Sequence, residues 1–595
     1  MKTASSAPNF NYGFPTPGPQ HPTGNQVMNH VFFLSRDAWK QVREDERFDY
    51  IVIGSGFCAL GFVERVLKNE PYARILIIER GPFFLPEHFQ NLPLPFQQTL
   101  GGMSETFPWT LSARTILGDG YIKWQHGMVP FFGGRSTLWS AWCPRPTPEE
   151  MAGWPPEVIE VANHYFPSAE RLLNVMSAND IDPGESEDAR PRWRPVYGVL
   201  QHRLTERVQR NLHRVASATR AMAAPLAVGS PDLHGVDFVK YAVPGPLLEV
   251  LGAAKARADV DHGAPLRIVT DCTVTRVLQQ ENRATALETT QGVVNVGDAQ
   301  LVLAMGTLPP TTLVLNSFPQ ATNAGERFTA HFITSVVARV LRTDYEFADQ
   351  IGDLELAAIY VAGVDGKTGG QYHIQLSALS DRHPVANAQT AARYMPDVVA
   401  TASPQQLLTS EDYVVFVCAV LGEIDYRNSE NWFRLQGGGD PTTNCMLQVK
   451  ESEADLSVWN TMDEGTFQTL ENALSPKGHG AVEYWHASSD GSGKWESSRP
   501  PVQQIRVPAL VHEGSTLWIG GDEEAPVDLE YRLRGVENVY VTGAGLWPTS
   551  GSWNPTMTMV GLAQHLADIL SSRAGEKPAL NSYSLEATHT ASALT

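Results

Sequence analysis

The stretch FDYIVIGSGFCALGFVERVLKNEPYARILIIERG, Phe48–Gly81, decides the fold. Ile51, Val52 and Ile53 read as a buried strand that ends at Gly54. Gly54-Ser55-Gly56 makes a tight turn, and Ala59 is the third small residue of a G-x-G-x-x-G/A pattern. A helix follows through Arg65 and Leu67, then a second strand, Ile75 to Ile78, ending in Glu79 and Arg80. Glycine is required where backbone must approach a pyrophosphate, and the helix start then faces its charge. An acid closing the second strand suits a ribose hydroxyl. Strand, turn, helix, strand and acid in this order predict a dinucleotide-binding βαβ unit.

Working outward, 595 residues are long for one core, so two domains or interleaved lobes are expected. Apolar content of 42% and charged content of 18% fit a globular enzyme, and a formal charge of −20 argues against nucleic acid and anionic membranes as partners. Cys58, Cys143, Cys272, Cys418 and Cys445 lack C-x-x-C spacing, which predicts neither a disulfide framework nor a metal site. No secretory signal is visible, and the longest strongly apolar run, Val414 to Leu421, is too short to span a bilayer. A cytoplasmic protein is the expectation.

Proline at 15, 17, 19 and 22 predicts an irregular start within an N-terminal arm over residues 1–45. LRIVTDCTVTRVL, Leu266–Leu278, alternates as a strand does, and DAQLVLAMGTLPPTTLVLNS, Asp298–Ser317, reads as strand, glycine turn and proline-started helix. YHIQLSAL and DYVVFVCAVLG mark a β-rich lobe, and VENVYVTGAG, Val536–Gly545, is again a strand running into glycine. The reading is α/β: a cofactor lobe built from separated segments, over 46–327 and 501–572, with a substrate domain inserted at 328–500. Residues 573–595 read as a flexible tail, and no internal repeat is visible.

Four blocks in order resemble the glucose–methanol–choline (GMC) flavin oxidoreductases, most of all the pyranose oxidase and C-glycoside oxidase-like branch. They are the βαβ unit ending IIERG; MVPFFGGRSTLWSAWCPRP, Met128–Pro146, with GWP and ANHYFPSAERLLNV after it; VLAMGTLPPTTLVLNS, Val302–Ser317; and VHEGSTLWIGG, Val511–Gly521, running on to GAGLWPTSGSWNPTMTMVGLAQHLADIL, Gly543–Leu570. The resemblance implies a Rossmann-like FAD domain of the glutathione-reductase type beside a substrate domain with a large β-sheet and flanking helices. It implies FAD as cofactor, held by Gly54, Ser55, Gly56, Ala59, Glu79, Arg80, Gly134, Ser136, Thr137, Ser140, Val274, Ala304, Gly306, Gly545, Leu546, Pro555 and Thr556.

In that family a His in H-x-x-G-T and a His or Asn before Pro meet over the flavin. Here His512 opens HEGST, with Gly514 and Ser515 shifted against the usual pattern, and Asn554 precedes Pro555. Imidazole suits removal of a hydroxyl proton while the carbinol carbon gives hydride to flavin N5, and an amide suits holding the substrate oxygen. Asn554-Pro555 also reads as the N-cap and first residue of the helix that follows. His486 competes as base or pocket residue, His373 reads as structural or pocket-lining, and Trp518, Trp547 and Trp553 are candidates to stack on a ring-shaped substrate or to pack in the core.

Pyranose oxidases carry S-T-H-W in the flavin loop, where the His bonds covalently to flavin. Ser136-Thr137-Leu138-Trp139 cannot form that link, so noncovalent FAD is expected. The expected activity is oxidation of a hydroxyl in a sugar, glycoside or polyol, with O2 or a quinone-type compound as acceptor and a homo-oligomer possible. The alternatives are an alcohol of a secondary-metabolite pathway, or a lyase retaining FAD structurally. No metal is expected.

Overall fold

The structure is a computed structural model and describes residues 32–92, 110–116, 120–125, 127–181, 196–229, 240–396, 402–488 and 492–572. Strand β1 (Tyr50–Ile53), helix α1 (Phe57–Asn69) and strand β2 (Ile75–Ile78) form the βαβ unit. Helix α2 (Pro156–Leu173) follows, then β3 (Arg267–Val269), β4 (Gln300–Leu303) and helix α3 (Leu308–Ser317). The chain next builds the long strands β5 (Thr329–Leu341), β6 (Leu354–Val364), β7 (Gln371–Asp381) and β8 (Tyr413–Glu423), and helix α4 (Glu453–Gln468). It returns through β9 (Arg506–Gly514) and β10 (Val539–Val541) to end in helix α5 (Thr556–Ser571).

β10, β4, β1, β2 and β3 lie side by side in that order, every pair parallel. Each residue of β1 and β2 is buried, because both faces of this parallel sheet are covered and leave no solvent side to alternate toward. Five strands from such distant segments explain why the cofactor lobe cannot be read as one continuous block. α5 is fastened across α1 and α2 by Asp568, which takes two hydrogen bonds from Arg65 at 2.7 Å, one from Asn69 at 2.6 Å and one from Tyr165 at 2.6 Å. Residues 32–45 also pack here: Ser35 Oγ caps the helix Arg36–Asp45 by accepting the Ala38 N–H, and Trp39 and Val42 are buried.

The second body is a nine-stranded sheet whose centre runs β5-β8-β7-β6, antiparallel throughout. β9 pairs with the far edge of β5, so the strand carrying His512 belongs to this sheet. Strands alternate their side chains, which gives the sheet two distinct faces. Phe332 points to one of them and stacks on Trp459 of α4, rings 4.5 Å apart. The register puts His331 and Ser335 of β5, Glu423 of β8, His373 and Gln375 of β7 and Tyr360 of β6 on the other. That second face meets residues 550–554, between β10 and α5, and so lies against the cofactor lobe. Among the described residues no helix is long and apolar enough to cross a membrane.

Candidate active site

All five parallel strands deliver their C-terminal ends to one edge, where open α/β sheets bind nucleotides. Gly54 follows β1 at φ +99°, and a Cβ there would stand 2.5 Å from the carbonyl oxygen of Ala304, the residue after β4. Gly543, after β10, has φ +91°, and its Cβ would stand 2.9 Å from the Gly306 oxygen. These two glycines let three strand ends close on one another. Gly56, Gly134 and Gly306 differ: a Cβ on Gly306 meets nothing within 4 Å, and on Gly56 or Gly134 nothing nearer than 3.8 Å. Gly56 and Gly134 lie close together at the start of α1, and Gly306 lies at the turn after β4, each leaving backbone uncovered as a pyrophosphate requires. Ala59 is buried in α1, one turn behind Gly56.

Glu79 closes β2 in a buried position, accepting hydrogen bonds from Ser55 Oγ at 2.5 Å and the Gly81 N–H at 2.8 Å. Ser55 Oγ in turn accepts the Gly133 N–H at 2.9 Å, so the carboxyl, the glycine turn and the loop at Gly133 are one network. Burial pushes the Glu79 carboxyl up to about 7, against the pull of the Ser55 and Gly81 hydrogen bonds. A carboxyl raised in the folded state stabilises the fold below its unfolded value, and that stability is lost as pH rises through 7. Thermal melts of the cofactor-free protein should show Glu79→Gln removing about 3 kcal/mol of stability loss between about pH 5 and about pH 8. Arg80 is half-buried beside it. The Glu79 carbonyl accepts the Cys272 N–H at 3.0 Å, which brings buried Val274 to the same end of the crevice.

The loop after Pro130 turns at Gly133 (φ +91°) and Gly134 (φ +56°) into a short helical turn. Ser136 Oγ donates to the Gly133 carbonyl at 2.7 Å and accepts the Val243 N–H at 3.0 Å, while Thr137 Oγ1 donates to the Gly134 carbonyl at 3.0 Å. Both hydroxyls therefore shape the loop. Leu138 and Ser140 are half-buried beyond it. Arg135 clamps this loop to β9 through Glu513, buried next to His512, with contacts of 2.7 and 2.9 Å.

His512 sits on a β-bulge. Gly514 pairs with Thr329 and Val511 with His331, so two residues of β9 face one of β5, and His512 takes φ +58°. Bulges re-aim side chains beside functional sites, and a non-glycine residue in the left-handed region is strained unless its surroundings hold it. Here the holding group is His331, whose Nδ1 lies 3.0 Å from Nδ1 of His512. His331 Nε2 lies 3.0 Å from the Gly551 carbonyl, and Glu423 accepts the Gly551 N–H at 3.0 Å. Asn554 is buried three residues further, its Oδ1 taking a 2.9 Å hydrogen bond from Gln375 Nε2 of β7. His512 and Asn554 are thus both fastened to one patch of the large sheet, beside the cofactor crevice.

The helix after Asn554 corrects one expectation. α5 begins at Thr556 with Pro555 in the cap position, and Asn554 makes no cap hydrogen bond, because Gln375 engages its side-chain oxygen. Thr556 is buried at that helix start. Gly545 and Leu546, also buried, are zipped to β9's continuation by hydrogen bonds from the Leu517 and Ile519 N–H groups. His486 is far from the pair in the sheet: it lies on the outer strand Val482–Ala487 and contacts the Ser498 carbonyl at 2.8 Å. His373 is buried on the inner face, its ring 6.3 Å from that of His331. Trp547 and Trp553 are buried and packed on Trp154, with ring separations of 5.5 to 6.0 Å, which makes them core. Trp518 lies under Arg327 at 4.0 Å. Among the described residues no group of three or more His, Cys, Asp or Glu could hold a metal ion.

His331, Gln375 and Glu423 carried no signal of their own in the sequence. His331 lies 181 positions from His512, and only the pairing of β5 with β9 joins them.

Residues 427–563 match the GMC oxidoreductase family model, a span that includes both His512 and Asn554. No curated protein matches the chain in sequence at a significant level. Among solved structures it is similar to pyridoxine 4-oxidase from Mesorbium loti, with a TM-score of 0.52 at 15% identity, over 88% of this chain and 99% of that one. At that identity the likeness concerns the fold alone. Residues 427–563 thus match the GMC oxidoreductase model, within a fold similar to that of pyridoxine 4-oxidase.

Proposed function

We propose that the protein is an FAD-dependent oxidoreductase that oxidises a CH–OH group, in a sugar, glycoside or polyol of the kind taken by the pyranose oxidase-like branch. The observation that carries the reading is the fastening of His512 and Asn554 to one patch of the sheet, at the edge of the nucleotide crevice. The residues fit the cofactor: Gly56, Gly134 and Gly306 leave backbone open to a pyrophosphate, and Glu79 offers a buried carboxyl to a ribose. FAD, when bound, accepts the hydride released by the carbinol carbon. His512 takes the hydroxyl proton. Asn554, with Oδ1 engaged by Gln375, turns its amide N–H toward the substrate oxygen and fixes its direction. Glu513 and Arg135 hold the flavin loop against the base-bearing strand. His373 and Tyr360 lie buried on the same inner face, against Ser552 of the segment that carries Asn554. O2 or a quinone-type compound completes the cycle.

The test is anaerobic titration of the purified yellow protein with D-glucose, a methyl glucoside, sorbitol and, for the fold relative's substrate, pyridoxine. Bleaching by a sugar or polyol, with peroxide formed on readmitting air, supports a sugar or polyol oxidase. Bleaching by pyridoxine alone overturns the substrate class, and a protein that takes up no FAD overturns the redox reading. A companion prediction concerns attachment. Because Leu138 offers no nucleophile, acid precipitation is expected to leave the flavin colour in the supernatant; colour in the pellet would sink the noncovalent assignment.

A further inference from the structure

The contact between His331 and His512 fixes where protons sit, and this inference rests on the reading of His512 as the base. His331 is buried, with Nε2 3.0 Å from the Gly551 carbonyl and Nδ1 3.0 Å from His512 Nδ1. A carbonyl oxygen only accepts, so His331 Nε2 carries a proton. Burial pushes His331 down to about 4, so near neutral pH it is uncharged and its Nδ1 holds a lone pair. Two nitrogens at hydrogen-bond distance need one proton between them, and only His512 Nδ1 can supply it. We propose that His331 is a positioning residue that holds His512 in its Nδ1–H tautomer and so presents Nε2 as the proton acceptor.

The surroundings are built to keep this polarity. Gly551, which orients His331 through its carbonyl, is itself held by Glu423 from its N–H side. The bulge at His512 puts a strained residue where its ring meets His331 at 90°, ring centres 5.0 Å apart. The ionisable groups facing His331 are His512 from β9, Glu423 from β8 and His373 from β7, with Tyr360 of β6 stacked behind His373. Burial also holds His373 well below the usual imidazole range, so it adds no second imidazolium beside His331. When Nε2 of His512 gains the substrate proton, the imidazolium keeps its Nδ1–H bond to His331, which stabilises that charged form. Asp in a hydrolase triad orients its imidazole by the same logic, with a carboxylate in place of a neutral ring.

The experiment is 15N NMR of the full-length holoprotein labelled at histidine, at about pH 8, with the His512 signals identified by their loss in His512→Ala. Imidazole 15N shifts separate the two neutral tautomers. The expected result is His512 protonated at Nδ1 in the wild type and in His331→Asn, whose amide oxygen takes the place of the accepting nitrogen. In His331→Phe the Nδ1–H form should lose its dominance. Flavin reduction by the sugar or polyol that bleaches the wild type should then fall on the order of 100-fold in His331→Phe, mostly in kcat, with the acid limb of its pH profile moved lower. His331→Asn should recover most of that rate. His512 found in the Nε2–H form in the wild type overturns the proposal, as does His331→Asn behaving like a packing mutant with the tautomer lost. If His331→Phe does not fold, the wild-type and His331→Asn spectra still decide. Failure of the base reading looks different: His512→Ala would reduce its flavin normally while the wild-type tautomer stood as proposed.

Discussion

His512→Ala is expected to bind FAD normally and to lose about 1,000-fold in the rate of flavin reduction by substrate. The size follows from what the imidazole does. A positioned general base contributes 10²- to 10⁴-fold because the hydroxyl proton must leave as the carbinol hydride departs, and the neighbouring imidazole, His331, is buried with its Nε2 engaged by the Gly551 carbonyl. The loss should fall in kcat and in kcat/KM alike, since the proton is taken only in the transition state. Stability should fall by about 1–3 kcal/mol, the cost of leaving the buried His331 Nδ1 without its hydrogen-bond partner. His512 is already in the left-handed region at φ +58°, so alanine inherits the same backbone strain, and His331 keeps its bond to the Gly551 carbonyl. Anaerobic stopped-flow reduction of matched flavin contents is the measurement. A wild-type rate would remove His512 from the chemistry, whatever the fate of the fold.

The elements that could be read in the sequence are those whose logic is local. β1, α1 and β2 follow within 31 residues of one another, counting from Asp49 to Glu79, and each turn residue has its reason in the next few positions. His512 and Asn554 were legible because short motifs surround each of them. What was not legible depends on pairing between distant strands. His331 becomes the neighbour of His512 only when β5 lies beside β9, and Gln375 reaches Asn554 only when β7 takes its place three strands away. The same blindness explains Asn554 itself. Asn-Pro before an apolar helix has the pattern of a cap, and tertiary contact with Gln375 overrides that local preference. The tryptophans were ambiguous for a related reason, since sequence gives no view of Trp154, on which Trp547 and Trp553 close.

Two glycines of the same turn should fail in opposite ways. Gly54→Ala is expected to destabilise the protein by about 3 kcal/mol, because φ +99° is unfavourable to any side chain and the new Cβ would stand 2.5 Å from the Ala304 carbonyl oxygen. Ala304 cannot retreat, since its N–H is bonded to the Ile53 carbonyl across the β1–β4 pair at 2.8 Å. Gly56→Ala carries no such conflict: φ is −83°, and the nearest atom to its Cβ is the Gly133 oxygen at 3.8 Å. The cofactor-free variant should therefore melt within about 0.5 kcal/mol of the wild type. Its FAD affinity should nevertheless fall about 10- to 100-fold, the cost of forcing one methyl into a closely packed contact. Melting temperature with and without FAD, beside flavin content after gel filtration, separates the two. If Gly56→Ala retained a full complement of tightly held flavin, the pyrophosphate could not run past this glycine. If it lost flavin while the cofactor-free protein melted unchanged, Gly54 would be the glycine that the fold requires and Gly56 the one that the cofactor requires.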